Sequence, residues 1–75
     1  MKDLLIYIAQ SLVDNPDEVT VTETETGSSV VYQLSVGEGD MGKVIGKQGK
    51  IAKAIRTIMK TAAIKTNKKI TVEIV

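Results

Sequence analysis

Seventy-five residues have room for a single domain, residues 1–75, because chains divide into several only well above this length. Hydrophobic residues at 43% and charged residues at 25% are the proportions of an ordinary globular chain and exclude disorder along its whole length. The absence of Cys and His excludes disulfides, thiolate or imidazole metal centres and hydrolases built on Ser-His or Cys-His pairs, and the net charge of +1 excludes a uniformly basic surface. No catalytic residue, metal ligand set or cofactor site emerges. A chain this short also offers little depth for an enclosed pocket of the usual roughly 300 Å³, so a binding module is favoured over an enzyme.

In chain order, Leu4, Leu5, Ile8, Leu12 and Val13 recur at helical spacing and predict a first helix over roughly residues 3 to 14, closed by Asn15-Pro16. Ala9-Gln10 interrupts its apolar stretch and Asp14, Asp17 and Glu18 follow, which is not the pattern of a targeting segment. No run is long enough to span a bilayer, and without a signal or an anchor the expected location is the cytoplasm, with no membrane partner. Val19 to Thr26 alternates Thr with Val or Glu and reads as an edge strand running out into solvent. Gly27-Ser28 turns the chain into a better strand over Val30 to Val36, so the two form a hairpin.

Gly37-Glu38-Gly39-Asp40 breaks that strand, with Asp40 as the expected N-cap of a short helix from Met41 to Gly46. After Gly46-Lys47-Gln48-Gly49 a longer helix is expected over Lys50 to Lys65, its apolar stripe made of Ile51, Ile55, Ile58 and Ala62, with Lys53, Arg56 and Lys60 opposite. Ala52, Met59 and Ala63 form a second apolar flank, either packed on the first helix or open to another subunit. Ile70 to Val75 alternates as a last strand. The order is α-β-β-α-α-β. The helical crossover between the second and third strands favours a parallel pair. An α+β fold follows, a three-stranded mixed sheet with three helices packed on one face.

Charge is divided along the chain: residues 1–40 carry eight acids and Lys2, whereas residues 41–75 carry nine bases and Glu73 alone, giving −7 and +8. Such a division fits a polyanion-binding second half, or two halves that neutralise one another. Two glycine motifs are dismissed. Gly37-x-Gly39-x-x-Gly42 would turn Glu38 and Asp40 toward a pyrophosphate and lacks a second βαβ unit. The P-loop-like run ending Gly42-Lys43 has Val44 where a metal-binding hydroxyl is required.

Val44-Ile45-Gly46-Lys47-Gln48-Gly49-Lys50 is more informative. Its glycines remove side chains where a sugar-phosphate backbone must come close, and the amides opening the next helix, with Lys47 and Lys50, attract phosphate. V-I-G-x-x-G between two helices, after a hairpin and before a strand, resembles the KH family, whose G-x-x-G loop clamps about four nucleotides. The element order matches the type II, prokaryotic KH arrangement. The segments Leu12-Val13-Asp14-Asn15-Pro16-Asp17, Leu34-Ser35-Val36, Asp40 to Gly49 and Ala54-Ile55-Arg56-Thr57 resemble the small bacterial KH proteins of the KhpA type. Lys50 stands where that family more often has Arg, which keeps the charge but not a bidentate contact.

The resemblance implies a non-catalytic RNA-binding protein, an RNA chaperone or post-transcriptional regulator, that takes single-stranded RNA through Val44, Ile45, Gly46, Lys47, Gln48, Gly49, Lys50 and Lys53. It further implies homodimerisation, or a heterodimer with a larger KH-containing protein, for which Ala52, Met59 and Ala63 are the candidate contacts. A protein-interaction subunit with weak RNA binding is the alternative. Lys60, about 16 Å along the helix from Gly49, is left outside the site, and Lys65, Lys68 and Lys69 are either outer phosphate contacts or solubilising charge. The two aromatic residues, Tyr7 and Tyr32, lie away from the loop, so bases would rest on aliphatic side chains without aromatic stacking.

Overall fold

The computed structural model describes residues 1–75. Helix α1 spans Lys2–Leu12 and buries Leu5 and Ala9, with Leu4, Ile6 and Ile8 half-buried beside them. It stops two residues short of the predicted end, because Val13 is already extended and Pro16 opens a separate 3-10 turn, Pro16–Glu18. Proline is suited to that first helical position, where its missing N–H costs nothing.

Strands β1 (Thr20–Thr26) and β2 (Ser29–Ser35) pair antiparallel, with Thr26 opposite Ser29 across the turn. Strand β3 (Lys69–Ile74) lies parallel to β2 on its other side, Tyr32 opposite Val72, so the order is β1-β2-β3. The expected mixed sheet is thus the observed one. In central β2, Val30, Tyr32 and Leu34 alternate into the core, whereas β1 buries only Val21 and runs into solvent as expected. Helices α2 (Met41–Ile45) and α3 (Lys50–Ala62) join α1 over the sheet, making the type II KH arrangement of three helices on a three-stranded sheet. Leu5, Leu34, Val44, Ile55 and Met59 are completely or almost completely buried. Each contributes on the order of 1.5–3 kcal/mol through apolar area removed from water. No helix is long and apolar enough to cross a membrane.

Helix α3 corrects the helical-wheel expectation. Its inward stripe is Ala52, Ile55, Met59 and Ala63, while Ile58 is 45% exposed and Ala62 also faces solvent. The stripe is rotated from the predicted one because α3 must meet both β3 and α1, and unbranched Met59 fills the space between them better than a β-branched side chain. Ala52, Met59 and Ala63 therefore belong to this chain's own core, at 4%, 0% and 2% exposure. They are not a free face for a second subunit.

Candidate nucleic-acid interface

The turn between α2 and α3 is built on left-handed backbone. Gly49, at φ 74° and ψ 14°, is in the left-handed helical region that costs an L side chain about 1–2 kcal/mol, and Gly46, at φ 75° and ψ 176°, is in a region essentially confined to glycine. A Cβ on Gly46 would also come within 2.6 Å of Ile51 Cγ1, so conformation and contact both demand glycine there. Around Gly49 the space is open and the backbone angle alone makes the demand. Between them Gln48 also sits at φ 58°, with Lys47 and Gln48 exposed. The reversal is closed by Gly46 N–H on the Gly42 carbonyl at 2.9 Å and by Gly49 N–H on the Gly46 carbonyl at 3.2 Å.

Helix α3 starts directly from this turn with Gly49 as N-cap, no side chain capping it and no acidic residue in its first turn. First-turn amides lack helical partners, and a carboxylate usually settles near them. Here Lys47, Lys50 and Lys53 surround that end instead, all exposed. None is in an ion pair, the three ion pairs of the chain using only Lys43 and Lys68. Val44 and Ile45 divide as expected: Val44 is fully buried, and Ile45, 37% exposed, lies at the surface next to the loop. All eight expected site residues lie on the loop and the two helix ends that it joins, but Val44, at 0% exposure, supports the turn from the core and is closed to RNA, which corrects its place among the expected contacts.

The base of α2 is fastened differently from expectation. Asp40 caps no helix. At 2% exposure it is the buried charged group of the core. Its carboxylate accepts hydrogen bonds from Asp14 N–H at 3.2 Å, Asn15 N–H at 3.0 Å and Asn15 Nδ2 at 3.3 Å. Lys43 Nζ lies 3.7 Å away and bonds Asp14 as well. Burial by itself would raise the Asp40 pKa, but the Asp14 and Asn15 donors, with Lys43, offset it and leave the carboxyl below its ordinary value. The hydrogen bond and charge of Asp14, followed by the charge of Asp40, raise Lys43 against the opposing effect of desolvation. This cluster ties the α1–β1 connection to the start of α2. Lys43, four residues before Lys47, is thereby committed to the protein.

Arg56 makes a contact that sequence reasoning did not foresee. Its Nε donates to the Val72 carbonyl of β3 at 3.2 Å, laying the guanidinium along the edge strand beside α3. Its position in Ala54-Ile55-Arg56-Thr57 marked it only as part of a helical basic stripe, and no local pattern announces a partner sixteen residues away. Tyr32 is buried under the helices and Tyr7 is 71% exposed on α1; neither is on the loop.

Comparison with known proteins agrees with this architecture. A family model described as KhpA/KhpB, KH domain, matches residues 2–74. The chain is similar to the RNA-binding protein KhpA of Clostridium acetobutylicum, 60% identical over the full length of both chains. It is 51% identical to the RNA-binding protein KhpA of Listeria monocytogenes, covering all of this chain and 99% of that one. With the RNA-binding protein KhpA of Chlamydia trachomatis it shares 45% over 74 residues, 99% of this chain and 95% of the relative. Among solved structures, Aquifex aeolicus Era bound to GDP and aluminium fluoride superposes with a TM-score of 0.68 at 19% identity. That match covers 97% of this chain but 28% of the other, and it concerns the fold alone. With this element order, the Gly46–Gly49 turn and the full-length similarity together, the chain belongs to the KhpA/KhpB KH domain family.

Proposed function

We propose that this chain is a non-catalytic RNA-binding protein which clamps short single-stranded RNA at the Gly46–Gly49 turn, as an RNA chaperone or post-transcriptional regulator. The observation that carries the reading is the uncapped start of α3, ringed by Lys47, Lys50 and Lys53 where a helix ordinarily gathers acids. Three cations there are unfavourable for the isolated helix and favourable for a bound phosphate. The relatives named RNA-binding protein KhpA support the same reading. Phosphates take the turn, and bases rest on Ile45 and the aliphatic parts of the groove. The test is the double variant Lys47→Asp, Gln48→Asp. Both side chains are exposed, so the fold survives, while two carboxylates repel the strand and lower its affinity by at least about tenfold. A folded double variant that binds RNA as the unaltered chain does would remove the clamp; Lys2→Asp, far along the chain from the loop, is the control.

Pairing with another KH-containing chain is a second reading, favoured by the 45% exposure of Ile58 beside exposed Ala54 and Ala62 on α3. This outward flank, rather than Met59, is where a partner helix would rest.

A further inference from the structure

Strand β1 is the open edge of the sheet opposite β3, and it pairs with β2 on one side and with no strand on the other. The turn Gly27-Ser28 has two residues, so Thr26 and Ser29 close the hairpin as a hydrogen-bonded pair, and Thr24, Thr22 and Thr20 repeat that bonding with Val31, Gln33 and Ser35. The N–H and C=O groups of Val21, Glu23 and Glu25 therefore point outward, away from β2. They enter none of the backbone bonds made by turns, loops and caps. Residues Thr22 to Thr26 are exposed, and β-branched Thr at every second place favours the extended backbone. An edge of this kind is a ready template for one more strand.

Charge decides which strand fits. Glu23 and Glu25 stand on the same face of the sheet, opposite Tyr32 and Val30 in the ladder. Glu23 has no cationic partner and Glu25 has only Lys68, at 2.6 Å. Asp17 and Glu18, exposed in the turn that leads into β1, continue the acid toward its start. Beside the two glutamates a hollow of about 250 Å³ opens, its lining including Met1 and the buried Val30, Tyr32 and Ile70. Burial, then the charge and hydrogen bond of Glu23 and the charge of Glu25, raise the Tyr32 hydroxyl above its ordinary pKa, so the hollow lies in the field of both carboxylates. Apolar walls under acid suit a long cationic side chain, its stem on Val30 and Ile70 and its head at Glu23, and repel phosphate. A second copy of β1, laid antiparallel with the helices on the same side, would set Glu23 and Glu25 against their own counterparts, like charges that weaken a cross-strand pair. We infer that the outer edge of β1 is a docking site for an extended, basic segment of another protein, which adds to the sheet as a fourth strand and lays alternate Lys or Arg side chains along Glu23 and Glu25. The acidic half of the chain thereby has a use separate from the RNA clamp.

The probe is a capped octapeptide alternating Lys with Val or Thr, titrated into the isotope-labelled chain and followed by NMR amide exchange. Its control has the same side chains with every backbone amide N-methylated, which keeps the charge and removes the ladder donors. Binding should slow exchange of the Glu23 and Glu25 amides, about tenfold at nine-tenths occupancy, and the control should bind at least about fivefold more weakly. Glu23→Gln with Glu25→Gln, both exposed and so compatible with folding, should weaken the peptide about threefold to tenfold. The Lys47→Asp, Gln48→Asp variant should bind it as the unaltered chain does. Binding without protection of the two amides, equal affinity for the control, an unaffected Gln pair, a loop variant that loses the peptide, or no binding at millimolar peptide would each overturn the docking edge, and none of them bears on RNA affinity at the turn. Protection of the same amides in the free chain that grows with its concentration would give the edge to a second copy and overturn it as well.

Discussion

Asp40 shows how one residue can be read correctly as polar and placed wrongly. An acid before a short helix is an ordinary N-cap; here its carboxylate turns away and collects two backbone N–H groups and an amide from Asp14 and Asn15. Replacing it with Asn keeps the shape but sets an NH2 against those donors and leaves one of them unpaired in a buried place. Asp40→Asn should therefore melt at a lower temperature at pH 7, while its exposed loop lysines are untouched. The pH dependence carries the diagnosis. A carboxyl whose folded pKa lies below its unfolded one stabilises fully above the ordinary value of 3.8; that contribution is lost as pH falls below 3.8 through the depressed folded value. The gap in melting temperature between the two proteins should be constant from pH 7 to about 5 and close below 3.8, by circular dichroism melts. A gap that stays open in acid would show that shape, not charge, is what Asp40 supplies.

At the scale of elements, the period-two strands were legible because β2 is central and buried on one face, and the hairpin because a two-residue turn separates two alternating runs. The Gly46–Gly49 turn was legible for a stronger reason: two glycines three apart between helical segments have few other uses, and their left-handed angles are the ones that only glycine takes without strain. Helix α3 was legible as a helix but not in its rotation. Ile58 and Met59 point about 100° apart on the helix, and which of them is buried is decided by how α1 and β3 set the rotation of α3 rather than by α3 itself. A paired substitution separates them. Met59→Asp places an unpaired carboxylate in a fully enclosed site and should unfold the chain. Ile58→Asp should leave the helical circular dichroism intact and, if α3 pairs with another KH chain, shift sedimentation toward the monomer. A folded Met59→Asp protein, or an Ile58→Asp protein that associates as before, would contradict respectively the packing and the pairing surface.

For the molecule as a whole, the ion pairs measure how far the division of charge is used for self-neutralisation, one of the two meanings that the sequence allowed. All three ion pairs join the acidic first half to the basic second, but they engage only Lys43 and Lys68, leaving seven of the nine bases without an acidic partner. Self-neutralisation is thus a minor use of the asymmetry, and the remaining charge is spread along α3 and the β3 edge rather than over the surface at large. The number of phosphates that this charge engages is measurable. If Lys47, Lys50 and Lys53 neutralise about three phosphates of a tetranucleotide, the plot of log K against log salt should fall with a slope near −2, at about −0.7 per contact. Lys47→Ala should flatten that slope by less than about one unit, since it removes one contact. Diffuse attraction by all nine bases would give about −6 whatever the length, and would take duplex RNA as readily as single strands. A steep, length-independent slope with equal affinity for duplex would replace the clamp by a non-specific basic face; a slope near −2 confined to single strands would count the three contacts at the turn.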